Sequence, residues 1–362
     1  MTADSLRELL GEWQEPEYRA GQILEWIYSK DARGFEDMTN LPKALRARLS
    51  AESVLFESAP AAEQRSSDGT IKLLLRWADG TATECVMIPD GGRRTACIST
   101  QVGCPVECVF CASGINGLRR QLTAGQIVEQ VMRVRRLCVG DARLSNVVLM
   151  GSGEPLLNYD NTLCAANTII APWGVGIGAR KVTLSTVGVE KQIRRLADER
   201  LQITLALSLH APTDELRRRI IPHTFGTTVE SLVDACRYYF ERTGRETTIE
   251  YVLLKGLNDQ AHHAGKLAAL VRKMRGNVNL LRYNPVENLP YARPGSAEAH
   301  AFLEVLRAAG VNAHIRKSRG LDIDSACGQL QNRTTRGPSL YGSPVASAVR
   351  VRIPTPIHRE DD

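Results

Sequence analysis

Three cysteines stand within eight residues in Cys104-Pro-Val-Glu-Cys108-Val-Phe-Cys111. Thiolates so closely spaced are ligands for soft metals. A structural zinc site takes four tetrahedral ligands, commonly from paired CxxC or histidine-containing halves, and no second cysteine pair occurs downstream. Ferredoxin-type clusters are ligated by four cysteines. A triplet without a fourth partner therefore points to an iron-sulfur cluster with one iron left open to a small ligand. Other polar groups recur just after short apolar runs: Gly153-Glu154-Pro155 after NVVLM, Ser185 at the end of KVTLS, and Ser208-Leu209-His210 at the end of ITLALSL.

The elements that must carry these groups can be read from the pattern around them. From about residue 95, short apolar strands alternate with amphipathic helices: TACIST, NVVLM, KVTLS, ITLALSL, TIEYVLL and NVNLLRY. This rhythm implies parallel βαβ units, and six of them imply an α/β partial (β/α)6 barrel rather than a closed eightfold one. Function in such architectures sits at the carboxyl ends of the strands, where the polar residues fall. The helix after the first strand has a start signal in Thr123-Ala-Gly-Gln126, a capping-box pattern.

Residues 1–52 read as a small helical module, with Ile23, Trp26 and Ile27 at helical spacing and Asn40-Leu41-Pro42 as a capping signal for a further helix. Residues 53–94 read as a β-hairpin extension built from TIKLLLRW and TATECVMIP. The core spans 95–330. Beyond it, residues 331–362 are rich in Pro, Ser, Thr and Gly without sustained period, the composition of a disordered tail.

Of 362 residues, 43% are hydrophobic and 24% charged, which disfavours collagen-like, wholly disordered and disulfide-scaffold chains. The N-terminus lacks an apolar signal region and no apolar run is long enough to span a bilayer, so a cytoplasmic protein without a membrane partner is expected. In a reducing compartment, nine cysteines point to metal or catalysis before structural disulfides. The net charge of +6 tilts mildly toward an acidic partner.

The CxxxCxxC spacing, with Phe110 before the last cysteine, resembles the signature of radical S-adenosylmethionine (SAM) enzymes. More specifically, EPEYRAGQILEWIY, MTNLPKALR, ACISTQVGCPVECVFCASG, GSGEPLLN, VTLSTVG, LALSLHAPTDELR, TIEYVLL, YNP and RKSRGLDIDSACGQL resemble the RlmN/Cfr-type radical methyltransferases of RNA adenosine, nearest the RlmN branch, over about residues 15–332. The resemblance implies a 4Fe-4S cluster on Cys104, Cys108 and Cys111, with the SAM amine and carboxylate on the open iron. It implies SAM contacts from Gly153, Glu154, Ser185, Ser208, Leu209, His210 and Asn284. Ser152 stands where the family commonly has methionine.

Carbon 2 of adenine is an electrophilic sp² centre that cannot attack a sulfonium methyl. The resemblance resolves this with two cysteines. Cys327 takes a methyl from one SAM, and a second SAM, cleaved to the 5′-deoxyadenosyl radical, removes a hydrogen from that S-methyl group. The resulting methylene adds to the base, Glu84 serves as proton acceptor, and Cys97 resolves the thioether adduct by disulfide formation. The expected partners are 23S rRNA at the peptidyl-transferase centre, a subset of tRNAs, and an electron donor such as flavodoxin or ferredoxin; a monomer is expected. Among the basic clusters, Arg119-Arg120 and Arg316-Lys317-Arg319 adjoin these segments and are expected to meet RNA. Cys85, Cys138, Cys164 and Cys236 are left to packing. The rival readings are Cfr-like methylation at carbon 8 and a non-catalytic iron-sulfur RNA-binding protein.

Overall fold

The computed structural model describes residues 3–330, so the tail expected at 331–362 lies outside the described residues. The chain opens with helices α1 (Ala3–Glu12), α2 (Tyr18–Tyr28) and α3 (Lys43–Glu52). Of the residues whose spacing predicts a helix, Ile23 is buried in α2 and Trp26 and Ile27 pack half-buried against the core, but the capping expectation is corrected. Asn40 does not cap α3: its Oδ1 accepts from Trp26 Nε1 at 2.5 Å, and the residue preceding α3 is Pro42, which has no capping side chain.

An antiparallel run comes next: β1 (Ala59–Arg65), β2 (Ile71–Arg76), β3 (Ala82–Asp90) and β4 (Arg93–Cys97). The hairpin read from sequence is the β2–β3 pair, with Leu74 opposite Glu84. Strand β1 is not legible in sequence because APAAEQR lacks apolar alternation and is largely exposed. Two short strands, β5 (Gln101–Gly103) and β6 (Leu118–Gln121), form a small separate sheet that brackets the cysteine loop.

From β4 onward the sheet is parallel. Its remaining elements are α4 (Ala124–Arg135), β7 (Asn146–Leu149), α5 (Tyr159–Ile170), β8 (Val182–Thr186), α6 (Glu190–Asp198), β9 (Thr204–Ser208), α7 (Asp214–Ile220), α8 (Val229–Thr243), β10 (Thr247–Leu253), α9 (Ala261–Met274), β11 (Gly276–Arg282), α10 (Ser296–Ala308) and β12 (Ala313–Ile315). The order β1-β2-β3-β4-β7-β8-β9-β10-β11-β12 makes one open ten-stranded sheet whose end strands do not pair. The parallel run holds seven strands rather than six. The seventh, β12, is only three residues long, too short to show a periodic pattern.

Helix α4 starts as its sequence dictates. Thr123 Oγ1 accepts from Gln126 N and Gln126 Oε1 accepts from Thr123 N, both at 3.2 Å. The same helix anchors the N-terminal module: Arg135 and Arg136 both pair with Asp31 at 3.1 Å, and buried Glu129 accepts from the backbone of Glu57 and Ser58. Among the described residues, no helix is long and apolar enough to cross a membrane.

Candidate active site

The carboxyl ends of the parallel strands surround a chamber of about 940 Å³, part of it open to solvent. Cys104, Cys108 and Cys111 line it from the loop after β5, Glu154 and Gly153 from the turn after β7, Ser185 and Ser208 from the ends of β8 and β9, and Cys327 from the segment after β12. His210 and Asn284 complete the set. Of the residues predicted to hold SAM, only Leu209 does not face the chamber. Its side chain lies in the main core, leaving its backbone to contribute.

The cysteine loop is held by its own backbone and by Gly328, the neighbour of Cys327. Cys104 N donates to Gly117 O at 3.1 Å, and Ala112 N donates to Gly328 O at 2.8 Å. Burial pushes the Cys104 thiol up to about 12 and the Cys108 and Cys111 thiols above their ordinary range, and the thiols' mutual repulsion adds to it. Three buried thiolates thus need a bound positive charge to coexist, which metal supplies. Among the described residues, no three His, Cys, Asp or Glu side chains converge on a single ion. A polynuclear cluster spans thiolates set further apart, so this donor set fits a cluster better than a lone ion.

Glu154 is pinned in place. Its Oε2 accepts from Val187 N at 2.8 Å, its Oε1 from Leu156 N at 3.0 Å, and its own N–H donates to Gln101 Oε1 at 2.7 Å. Burial nevertheless wins over these hydrogen bonds and raises its pKa to about 7. Gly153 just before it has φ +108°, and a Cβ there would stand 2.6 Å from Gln101 Cβ, so the turn admits only glycine.

His210 also sits in the left-handed region, at φ +58°. Its Nδ1 accepts from Val252 N at 3.1 Å, which fixes the proton of the neutral ring on Nε2. Burial and the nearby Arg217 charge push its pKa down to about 3, so the ring stays neutral. Phe110 packs edge-on against it at 4.9 Å. Ser185 and Ser208 share a hydrogen bond of 3.2 Å across adjacent strands.

Asn284 links the chamber wall to Cys327. Its Nδ2 donates to Cys327 O at 3.1 Å, and its Oδ1 accepts from Ser318 Oγ at 2.8 Å and Arg293 Nη1 at 3.2 Å. Cys327 is open to the chamber, whereas Cys97 is buried on β4 against Val86, Leu330 and Met150; both are free thiols. Burial raises both thiols, Cys97 to about 12, and Arg316 opposes the rise at each. Glu84 shares the face of Cys97, because it lies two residues from Val86, the β3 partner of Cys97. It pairs with Lys72 Nζ at 3.2 Å and lines a small crevice that meets the chamber only at Ser113.

Sequence reasoning missed Glu250, Arg217 and Gln101. Glu250 lines the chamber from β10, accepts from Asn279 at 2.9 Å and faces Arg316 at 3.6 Å. A lone glutamate inside the apolar run TIEYVLL was the signal. Arg217 is almost fully buried behind the cysteine loop, donating to Val187 O while its Nε and Nη1 have no hydrogen-bond partner among the described residues. The expected RNA clusters are partly committed elsewhere: Arg120 pairs with Asp79, Arg316 with Glu250 and Arg319 with Asp90.

The comparisons with known proteins agree with this geometry. Residues 98–267 match the radical SAM superfamily and residues 1–55 the ribosomal RNA large subunit methyltransferase N-terminal domain. A "probable dual-specificity RNA methyltransferase RlmN" of Rhodopirellula baltica is 44% identical over 334 residues, covering 92% of this chain and 90% of that protein. The chain belongs to the RlmN family. A relative of the same description from Thermus thermophilus is 44% identical over 328 residues, covering 90% of this chain and 92% of its own. The crystal structure of a radical SAM methyltransferase from Sphaerobacter thermophilus superposes with a TM-score of 0.89 at 43% identity, over 91% of this chain and 97% of that one. As an RlmN-family radical SAM methyltransferase, the protein has a 4Fe-4S cluster and SAM as its cofactors.

Proposed function

We propose that the protein methylates carbon 2 of adenosine in 23S rRNA and in a subset of tRNAs, with Cys327 as the methyl carrier and Cys97 as the resolving thiol. The observation that carries this reading is Cys327 on the wall of the chamber that gathers the three cluster cysteines and Glu154. The named relatives, described as dual-specificity RNA methyltransferases, support the substrate class. The target base must leave its stack to enter, at a cost of a few kcal/mol.

The cluster with SAM supplies one-electron cleavage to a carbon radical. The protein's own groups do the rest. Cys104, Cys108 and Cys111 hold the cluster, and Glu154, Ser185, Ser208 and neutral His210 hold the cofactor's polar ends. Cys327 sulfur takes a methyl by displacement, and its methylene carbon bonds to the base after hydrogen loss. The radical formed by that addition gives up one electron to the electron-transfer system, and Glu84 takes up the proton released at carbon 2. The Cys97 thiolate then attacks Cys327 sulfur, so the sulfur–carbon bond to RNA breaks as the disulfide forms, and the freed carbon takes up a proton to become the methyl group. Two SAM are consumed per turnover, and a flavodoxin- or ferredoxin-type donor supplies electrons. The enzyme acts as a cytosolic monomer whose N-terminal module gives a second RNA surface.

Nucleoside mass spectrometry of rRNA and tRNA treated with reconstituted enzyme tests this reading. The expected product is 2-methyladenosine. A product carrying the methyl at carbon 8 would move the protein to the Cfr-like reaction, and bound but unmodified RNA with intact SAM would make it a binding protein.

A further inference from the structure

Next to the chamber, a second open cleft of about 790 Å³ lies at the carboxyl ends of β11 and β12. Arg282, Arg293, Arg316 and Lys317 line it, together with Ser318 and the first turns of α10. Arg282 lines both spaces, so cleft and chamber adjoin at that residue.

Several basic clusters in this chain are matched by carboxylates. Arg133 pairs with Glu129, Arg135 and Arg136 with Asp31, Arg120 with Asp79, Arg319 with Asp90, and Arg316 with Glu250. Among the described residues, no carboxylate pairs with Arg282, Arg293 or Lys317. Arg293 donates only to neutral oxygens, Asn284 Oδ1 at 3.2 Å and Ser318 Oγ at 3.4 Å. Burial and the Arg282 charge beside it push the Arg293 pKa down. Glu298, the acid nearest in sequence, is turned to Lys255 at 3.4 Å and to Gly295 N and does not line the cleft. Like charges gathered without a counter-ion are unfavourable until an anion completes them.

We propose that this cleft binds a backbone phosphate of the RNA flanking the adenosine that enters the chamber, through Arg282, Arg293 and Lys317. The proposal rests on the RNA methyltransferase reading above. Arginine presents a planar fork of donors that suits a phosphate, and lysine adds a mobile point charge. The connection to chemistry is short: Arg293 donates to Asn284, and Asn284 donates to Cys327 O at 3.1 Å. A phosphate seated on Arg293 is therefore in register with the methyl carrier. Such contacts position the substrate and leave base choice to the chamber.

The test is the salt dependence of binding to a labelled stem-loop of 23S rRNA containing the target adenosine, measured with the full-length cluster-loaded protein. Lys317→Gln and Arg293→Gln are compared with Lys273→Gln, which removes an equal charge from the far end of α9. Each cleft variant should lower the slope of log affinity against log salt by roughly 0.7 to 0.9, the value of one lost phosphate contact, and the double variant by about twice that. Lys317 is exposed, so its variant keeps the test open even where Arg293→Gln fails to fold. Slopes equal to wild type, or equal to that of Lys273→Gln, would overturn the cleft. Intact-mass detection of a methyl on wild-type Cys327 without RNA reports on the enzyme reading separately. Its absence would count against that reading, while the slopes still decide the cleft.

Discussion

At the scale of single residues, Cys327 on the chamber wall and Cys97 buried behind it feel one shared cation. Arg316 lies between Glu250 at 3.6 Å and the thiols of Cys97 and Cys327, and it opposes the rise that burial imposes on both. Arg316→Gln should therefore slow alkylation of Cys327 by iodoacetamide and move its pH profile upward. Glu250→Gln should move it downward, because the carboxylate competes for the guanidinium and repels the thiolate. Site-resolved mass spectrometry reads both. Glu154 gives a second pH dependence. Its pKa of about 7 lies above the ordinary 4.5, so the carboxylate form that accepts from an amino group is lost as pH falls below about 7. SAM affinity should weaken by up to roughly tenfold per pH unit below that point and level off above it, as read by equilibrium binding. The motif residues were legible in sequence because each sits in a fixed phrase. Arg217 and Gln101 were not, since each acts through a partner distant in the chain and no local spacing betrays it, whereas Glu250 left only the signal of a lone glutamate in an apolar run.

At the scale of elements, the β-extension holds the loop that carries Cys327. Asp322 accepts from Ser66 Oγ at 2.5 Å and Ser67 N at 3.0 Å, Asp68 accepts from Gly320 N at 3.0 Å, and Lys72 donates to Asp324 O at 3.2 Å. The four contacts fasten residues 320–324 to the β1–β2 turn and the start of β2, three residues upstream of Cys327. Replacing Asp68 and Asp322 together with alanine should raise amide hydrogen exchange across 320–328, while α8 and α9 stay protected. Partial burial would raise the Asp68 pKa, but hydrogen bonds from Thr70, Gly320 and Ser66 outweigh it and hold the carboxyl at about 2. Their contribution is therefore present above its ordinary 3.8 and is lost as pH falls through 2. Exchange of the same loop should rise across that window. The strand–helix alternation foretold the parallel sheet because each strand keeps an apolar core face, as Val182 and Leu184 do in β8 and Val278 and Leu280 in β11, and helices intervene between the strands. Strands β1, β5, β6 and β12 escaped because they are short or exposed and are fixed by their neighbours rather than by their own composition.

At the scale of the whole molecule, one open sheet brings residues 84 to 327 to a common end, and the cysteines divide by position along it. Three line the chamber on one loop, Cys327 faces them from a separate segment, and Cys97 waits behind on β4. Cys85 and Cys236 are fully buried in the core, as packing requires, Cys138 lies half-buried against it, and half-buried Cys164 lines a cavity beside the N-terminal helices. Part of the modest net charge of +6 falls beside the chamber, where Arg282, Arg293 and Lys317 line the adjoining cleft. The division of labour between Cys327 and Cys97 is the central claim, and mass spectrometry of the Cys97→Ala enzyme after one reaction cycle with substrate RNA tests it most directly. A covalent protein–RNA adduct at Cys327 is expected, and it should be absent from Cys327→Ala. Free methylated RNA from Cys97→Ala at the wild-type yield, with no adduct, would contradict it.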